Sequence, residues 1–150
     1  MSQLTLLKPP LAPSGAWSPP GQLPALGAYD ELALDTETTG LQVVTGQDTP
    51  IGIASCTMPD HRRWYLPWGH LGGGNLDPEL VRRWARIELR DKHVYNLNVK
   101  FDAHGLRAWG VDLEAQGFIL HEVQHLAGLL DEYSHEYSLN ALAQRWLGRE

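Results

Sequence analysis

The chain has 150 residues, 43% hydrophobic content and six tryptophans, which suits one globular domain with a core of ordinary size. Its 18 acidic and 12 basic residues give a net charge of -6. That balance argues against wide, nonspecific clamping of duplex DNA, which requires a basic face. No run approaches the roughly 20 apolar residues of a membrane span, and residues 1–11 lack the pattern of a signal peptide. The single Cys56 cannot form an internal disulfide, so we expect a cytoplasmic protein with no membrane partner.

Residues 1–28 contain six of the ten prolines and almost no charge. This composition predicts an extended Pro-rich arm ahead of a folded domain at residues 29–150. Trp17 and Leu23 could hold the arm against the domain surface, and a disordered leader is the alternative.

The first acidic motif, residues 31–41, reads ELALDTETTGL. Leu32 and Leu34 alternate with small or charged residues, which predicts a strand that delivers Asp35 and Glu37 to its carboxyl-terminal end. Acids two positions apart on a strand point to the same face and repel each other, so the pair favours a site for a hard divalent cation such as Mg²⁺ or Mn²⁺. An acidic strand end before a turn is the structural alternative.

Two more strands are predicted at residues 51–57 and 63–68, joined by a turn at residues 58–61. Together with the first strand they should form an antiparallel set. Residues 69–75 contain three consecutive glycines and predict a flexible loop. They do not predict a phosphate cradle, because the Lys and the Ser or Thr of a P-loop are missing.

Alternating helices and strands follow, which implies parallel strands covered by helices. The first helix begins with Asp77 as its cap and Pro78 at its first position. Its apolar residues at helical spacing are Leu80, Val81, Trp84 and Ile87. The other predicted elements are a strand at 93–97, a helix from about 98 to 109, a strand at 118–120, a helix marked by Val123, Leu126, Ala127 and Leu130, and a helix from 138 to 148 with Leu142, Ala143 and Trp146 facing inward.

The second acidic motif, residues 98–102, reads NVKFD and lies where the fourth strand passes into a helix. Side chains at this kind of junction gather at the carboxyl ends of parallel strands. Asp102, on the first turn of the helix, should therefore face a metal held by Asp35. The structural alternative is an acid placed there by the helix dipole.

The two acidic motifs, in this order, resemble those of the DEDD superfamily of 3′-5′ exonucleases, most closely the proofreading domain attached to family A DNA polymerases. Residues 126–132 and 137–148 resemble the helix pair between that family's second and third motifs, so the resemblance spans about residues 30–148. It implies an α/β, ribonuclease H-like three-layer fold with a mixed five-stranded sheet and helices on both faces. It also implies removal of nucleotides from single-stranded 3′ ends of DNA, with RNA left open as a substrate and a polymerase domain as a partner.

The resemblance also implies roles for single residues. Asp35 and Glu37 would ligate the catalytic metal, with Asp35 also touching a second Mg²⁺ or Mn²⁺ held by Asp102. Thr38 and Leu41 would contact the terminal nucleotide, Leu41 by wedging against the last base. The residue that would help hold the strand near the cleavage site is Asn98.

The family's fourth carboxylate is an Asp preceded four residues earlier by Tyr or five residues earlier by His, and no such pair follows Asp102. One interpretation is that the carboxyl-terminal part of the domain is missing, so that the 150-residue chain is nearly inactive. A second is a catalytically inactive module that binds nucleic acid or docks on a polymerase. In a third, the missing ligand comes from a residue further along the chain. The candidates for it are Glu122, Asp131, His121, His125 and His135.

Overall fold

The computed structural model of the chain describes residues 18–148. They form one five-stranded sheet with four helices and a short 3-10 turn at Glu114–Gln116. The strands are β1 (Glu31–Thr38), β2 (Pro50–Thr57), β3 (Arg63–Pro67), β4 (His93–Asn96) and β5 (Ile119–Glu122). The helices are α1 (Pro78–Glu88), α2 (Val99–Ala108), α3 (Val123–Leu130) and α4 (Leu139–Leu147).

The sheet has the strand order β3-β2-β1-β4-β5. The pairs β1/β2 and β2/β3 are antiparallel, whereas β1/β4 and β4/β5 are parallel. The mixed sheet predicted from the sequence is thus confirmed. The fifth strand begins one residue later than predicted, because the Phe118 N–H donates to the Leu113 carbonyl outside the sheet. The Ile119 N–H is the first to donate toward β4, to the backbone carbonyl of Lys92.

One face of the sheet carries the hydrophobic core. Leu32 and Leu34 of β1 alternate with exposed or half-exposed residues, and they pack with buried residues of the other strands and of α1 and α2. The members from the remaining elements include Ile53, Leu66, Val94, Val81, Trp84, Ala85 and Leu106. This covered face fixes the register of β1, because a slip of one residue would turn its leucines to solvent.

Two helix faces differ from the prediction. In α1 the buried residues are Val81, Trp84 and Ala85, whereas Ile87 is 63% exposed, because successive helical residues turn by about 100° and position 87 lies to one side of that stripe. In α4, Leu142 is buried, but Trp146 is 47% exposed. The prediction that Trp146 faces inward was wrong, since no other described element covers that side of α4.

The segment before β1 is described from residue 18 onward, so Trp17 and the earlier part of the predicted arm lie outside the described residues. Pro24 and Leu26 are buried, and the indole N–H of Trp84 donates to the Pro24 carbonyl at 2.7 Å. The Leu26 N–H donates to the Glu88 carboxylate at 2.6 Å. These contacts attach the segment to α1 and extend the core.

The second face of the sheet is more open. Ala33 pairs with Cys56 on one side and with Tyr95 on the other, and all three are half-buried. A groove of about 460 Å³ runs along this face, with Val123 and Leu139 from the first turns of α3 and α4 among its lining residues. Within residues 18–148, the helices are too short or too polar to cross a bilayer.

Candidate functional site

Asp35 and Glu37 lie beyond the end of the parallel strand pair. The pairing of β1 with β4 ends where Ala33 meets Tyr95, but β1 continues beside β2, where Glu37 pairs with Gly52. The two acids therefore lie in the carboxyl-terminal half of β1, past the end of its pairing with β4. They share the open face of the sheet, and both are exposed.

Asp102 reaches β1 from the first turn of α2, which follows β4. Its side chain is 3% exposed. One carboxylate oxygen, Oδ1, accepts hydrogen bonds from the Thr36 N–H at 2.8 Å and from the Thr36 hydroxyl at 2.5 Å. Because Thr36 separates the two acids of β1, these bonds hold Asp102 against the acidic stretch of the strand.

The electrostatics of the site are unfavourable without a cation. Burial raises the pKa of the Asp102 carboxyl, the hydroxyl bond from Thr36 opposes that rise, and the nearby charge of Asp35 adds to it. Partial burial also raises the pKa of Asp35, although its side chain keeps contact with solvent. Among residues 18–148, no Lys or Arg forms an ion pair with these acids. Uncompensated carboxylate oxygens are the donor type that a hard divalent cation prefers.

The predicted nucleic-acid contacts lie around this acidic end of the sheet. Thr38 ends β1, and its hydroxyl donates to the Gly40 carbonyl at 2.7 Å. Leu41 follows and is 87% exposed. Asn98, between β4 and α2, is exposed and has a left-handed backbone with φ of 65°. The structure therefore brings Thr38, Leu41 and Asn98 to the ends of neighbouring strands.

A hydrogen-bonded loop presents Leu41. The Asp48 carboxylate accepts from the Gln42 N–H at 2.8 Å and from the Thr39 hydroxyl at 2.9 Å. A side chain at Gly40 would overlap the Asp48 carboxylate, so this close approach requires glycine. The loop thereby holds an apolar side chain in solvent next to the acids.

The later residues considered as a missing ligand have other partners. The Glu122 carboxylate accepts from the backbone N–H groups of Asn98, Val99 and Gln124 at 2.9, 2.7 and 3.1 Å. Asp131 faces Arg145 at 3.8 Å. The ring of His121 stacks on Tyr95 and meets His93, while His125 and His135 are exposed. Over the described part of the chain, no three His, Cys, Asp or Glu side chains stand close enough to hold a metal ion by themselves.

Sequence reasoning gave no role to Tyr65 and His70. The Tyr65 hydroxyl bonds with Nε2 of His70, and burial together with the charge of Glu37 raises the pKa of Tyr65 to about 12. The available signal was weak: Tyr65 follows the half-buried Trp64 on a strand without clear alternation. Only the pairing of strands shows that it lies on the acidic face.

The chain matches no family model, but it is similar to known proteins. A DNA polymerase, DpoZ, of Salmonella phage PMBT28 is 33% identical over 129 residues, which cover 85% of this chain and 19% of that protein. Brucella melitensis NrnC bound to pGG has a TM-score of 0.61 at 19% identity, over 84% of this chain and 57% of that one. Exonuclease I in its apo form has a TM-score of 0.58 at 12% identity, over 80% of this chain and 37% of that one.

The chain has the fold of the DEDD 3′-5′ exonucleases. The ribonuclease H-like class predicted from the sequence is confirmed. Within this exonuclease fold, the acidic residues of β1 and α2 lie at the carboxyl ends of the two central strands. The chain spans about a fifth of the length of the curated polymerases that it matches.

Proposed function

We propose that the chain is a metal-dependent 3′-5′ exonuclease domain of the proofreading type, which removes nucleotides from single-stranded 3′ ends of DNA. The observation that carries this proposal is the pair of hydrogen bonds to the buried Asp102 of α2 from Thr36, which lies between Asp35 and Glu37 on β1. Support comes from the polymerases of similar sequence and from a structure of the related NrnC with bound Mg²⁺. We also propose that the domain works within a longer polypeptide that carries a polymerase.

In this proposal Asp35, Glu37 and Asp102 hold two Mg²⁺ or Mn²⁺ ions. Ions held there would supply activation of water and charge stabilisation for hydrolysis of the terminal phosphodiester. The chain's own contribution is position: Thr36 orients Asp102, and the bend of the 39–49 loop presents Leu41 to the terminal base. Thr38 would contact the terminal nucleotide, and Asn98 would help hold the strand near the cleavage site. The fourth carboxylate would come from another part of the longer polypeptide proposed above.

The alternative is an inactive module that binds nucleic acid or docks on a polymerase. One observation favours it: within the described ranges, the acids do not form a ready set of three metal ligands. The two functions differ in what a longer chain should do, because only an exonuclease gains activity when the missing acid is supplied.

Metal binding is the first test. Calorimetry with Mn²⁺ on the 150-residue chain should show binding that Asp35→Ala removes, since this substitution deletes the acid that would contact both ions. The matched control is Asp77→Ala, which removes an exposed helix cap away from the site and should leave Mn²⁺ affinity unchanged. Equal Mn²⁺ binding by the wild type and Asp35→Ala would overturn the metal site.

Activity is the second test. A gel time course on a 5′-labelled oligonucleotide should show shortening from the 3′ end by a chain extended past residue 150. The 150-residue chain should be slower by about 10²–10⁴-fold, the usual effect of losing a group that positions or activates water. No shortening by either chain would favour the binding module.

A further inference from the structure

Tyr65 and His70 form a bonded pair on the sheet face that carries the acids. Tyr65 of β3 pairs with Ala54 of β2, and Ala54 pairs with Asp35 of β1. Residues paired directly across neighbouring strands lie on the same face of a sheet. The Tyr65 ring therefore stands in the same row as Asp35, two strands away.

The ring leans from that row toward Glu37. Gly52 lies between them, since it pairs with Glu37 and a Cβ added to it would overlap the Tyr65 hydroxyl. Cβ positions of paired residues lie about 4.5–5.5 Å apart, so the hydroxyl occupies the space beside the Glu37 side chain. The absence of a side chain at Gly52 is what makes this approach available.

His70 is itself held in place. The backbone N–H of His70 donates to the side-chain oxygen of Asn75 at 2.8 Å, and the backbone carbonyl of His70 accepts from the Asn75 side-chain amide at 2.7 Å. Gly73 and Gly74 have φ of 84° and 70°, a backbone conformation that lets the chain turn back between His70 and Asn75. The glycine-rich loop thus fixes the backbone of His70, whose ring contacts Tyr65.

We propose that Tyr65, supported by His70, is a positioning residue that holds the Glu37 carboxylate in the orientation needed for a divalent cation. The Tyr65 hydroxyl, which bonds with Nε2 of His70, would donate to one oxygen of the Glu37 carboxylate. Glu37 is exposed and has a long side chain, so a fixed donor restricts its rotamers. The inference rests on the proposed metal site. Tyr65 and His70 would act through the ligand Glu37 and would not contact the ion.

Tyr65→Phe tests this role, because it removes the hydroxyl and keeps the ring. Mn²⁺ affinity of the 150-residue chain, measured by calorimetry, should fall about 10-fold or more, as is typical when the hydrogen-bond partner of a metal ligand is removed. His70→Leu should lower the affinity as well, and His70→Gln, which keeps a donor, should restore part of it. The control is Tyr95→Phe, which removes a hydroxyl bonded to Glu31 at 3.1 Å on the same face and should leave the affinity unchanged.

A double substitution separates positioning from a loss of fold. In a Glu37→Gln background, Tyr65→Phe should cause almost no further loss of Mn²⁺ affinity. The thermal midpoint of the double variant in EDTA should match that of Glu37→Gln alone. An equal loss in both backgrounds would overturn the role of Tyr65. Wild-type Mn²⁺ affinity in Tyr65→Phe would also overturn the role of Tyr65. If Asp35→Ala still lost Mn²⁺ binding, that result would continue to support the metal site. Absence of Mn²⁺ binding by the wild type would overturn both proposals.

Discussion

Asp102 is the most deeply buried acid of the site, and its ionisation opposes folding when no cation is present. Its pKa in the folded chain lies above the ordinary Asp value, because burial and then the charge of Asp35 outweigh the bonds from Thr36. Below the ordinary value of about 3.9, both states hold the proton and there is no penalty. As pH rises above the ordinary pKa, the unfolded chain releases its proton while folded Asp102 still holds one. The folded state therefore loses stability until the pH passes the raised pKa.

Asp102→Asn should therefore stabilise the metal-free protein. The amide keeps an oxygen for the Thr36 donors and removes the buried charge. We expect the thermal midpoint in EDTA to rise by about 2–4 °C at pH 7, the shift that about 1 kcal/mol causes at this chain length. The gain should shrink toward zero as pH falls to about 4, and circular dichroism melts at several pH values would measure it.

Asp112 gives a control of opposite sign. Its pKa is lowered, first by the hydrogen bond from the Ala115 N–H, so its ionised form stabilises the fold above the ordinary value. Asp112→Asn should lower the midpoint at pH 7 or leave it unchanged. A lower midpoint for Asp102→Asn at pH 7 in EDTA would contradict the assigned electrostatics.

At the scale of elements, Glu122 joins two strand-to-helix junctions. It ends β5, caps α3 through the Gln124 N–H, and accepts from the Asn98 and Val99 N–H groups at the start of α2. The α2 end would otherwise lack a side-chain cap, since Asn98 provides none. Glu122 thus fixes the start of the helix that carries Asp102.

Glu122→Ala should cost about 1–2 kcal/mol of folding free energy, the upper part of the range for a lost helix cap, because two helix starts lose their acceptor. Chemical denaturation followed by fluorescence would measure this loss. Glu132→Ala, an exposed acid after α3, is the control and should change stability little. Unchanged stability together with lost Mn²⁺ binding in Glu122→Ala would instead identify it as a metal ligand.

At the scale of the whole molecule, the charge of -6 limits how nucleic acid can be held. A strand end bound through a local cation, an exposed Leu41 and few phosphate contacts should show a weak dependence on salt. For single strands the slope of log affinity against log salt is about -0.7 per phosphate contact.

We expect a slope of about -1.5 or shallower for a single-stranded 3′ end in Mn²⁺, with little binding in EDTA. Fluorescence anisotropy between 50 and 200 mM salt, with a 3′-phosphorothioate oligonucleotide to slow cleavage, would measure it. A blunt duplex of the same sequence is the control and should bind more weakly. Tighter binding to that duplex, or a slope steeper than about -3, would contradict the proposed mode.

Local sequence patterns were enough to predict the secondary-structure elements and to single out the acids. Alternating leucines marked β1, and the Asp77 and Pro78 pair marked the start of α1, where the Asp77 side chain indeed accepts from the Glu79 and Leu80 N–H groups. The order of strands and helices was sufficient for the mixed sheet, and Asp35, Glu37 and Asp102 stood out by residue type and position. These signals are local, because period, cap and spacing are written within a few neighbouring residues.

The way in which these elements and acids meet depends on contacts between distant segments. The burial of Asp102 depends on Thr36, 66 positions away, and the exposure of Trp146 depends on which elements cover α4. The place of Tyr65 beside Glu37 follows from the registers of two antiparallel pairs and from the missing side chain at Gly52. Such contacts depend on strand register and packing between distant segments, and no local pattern records either of them.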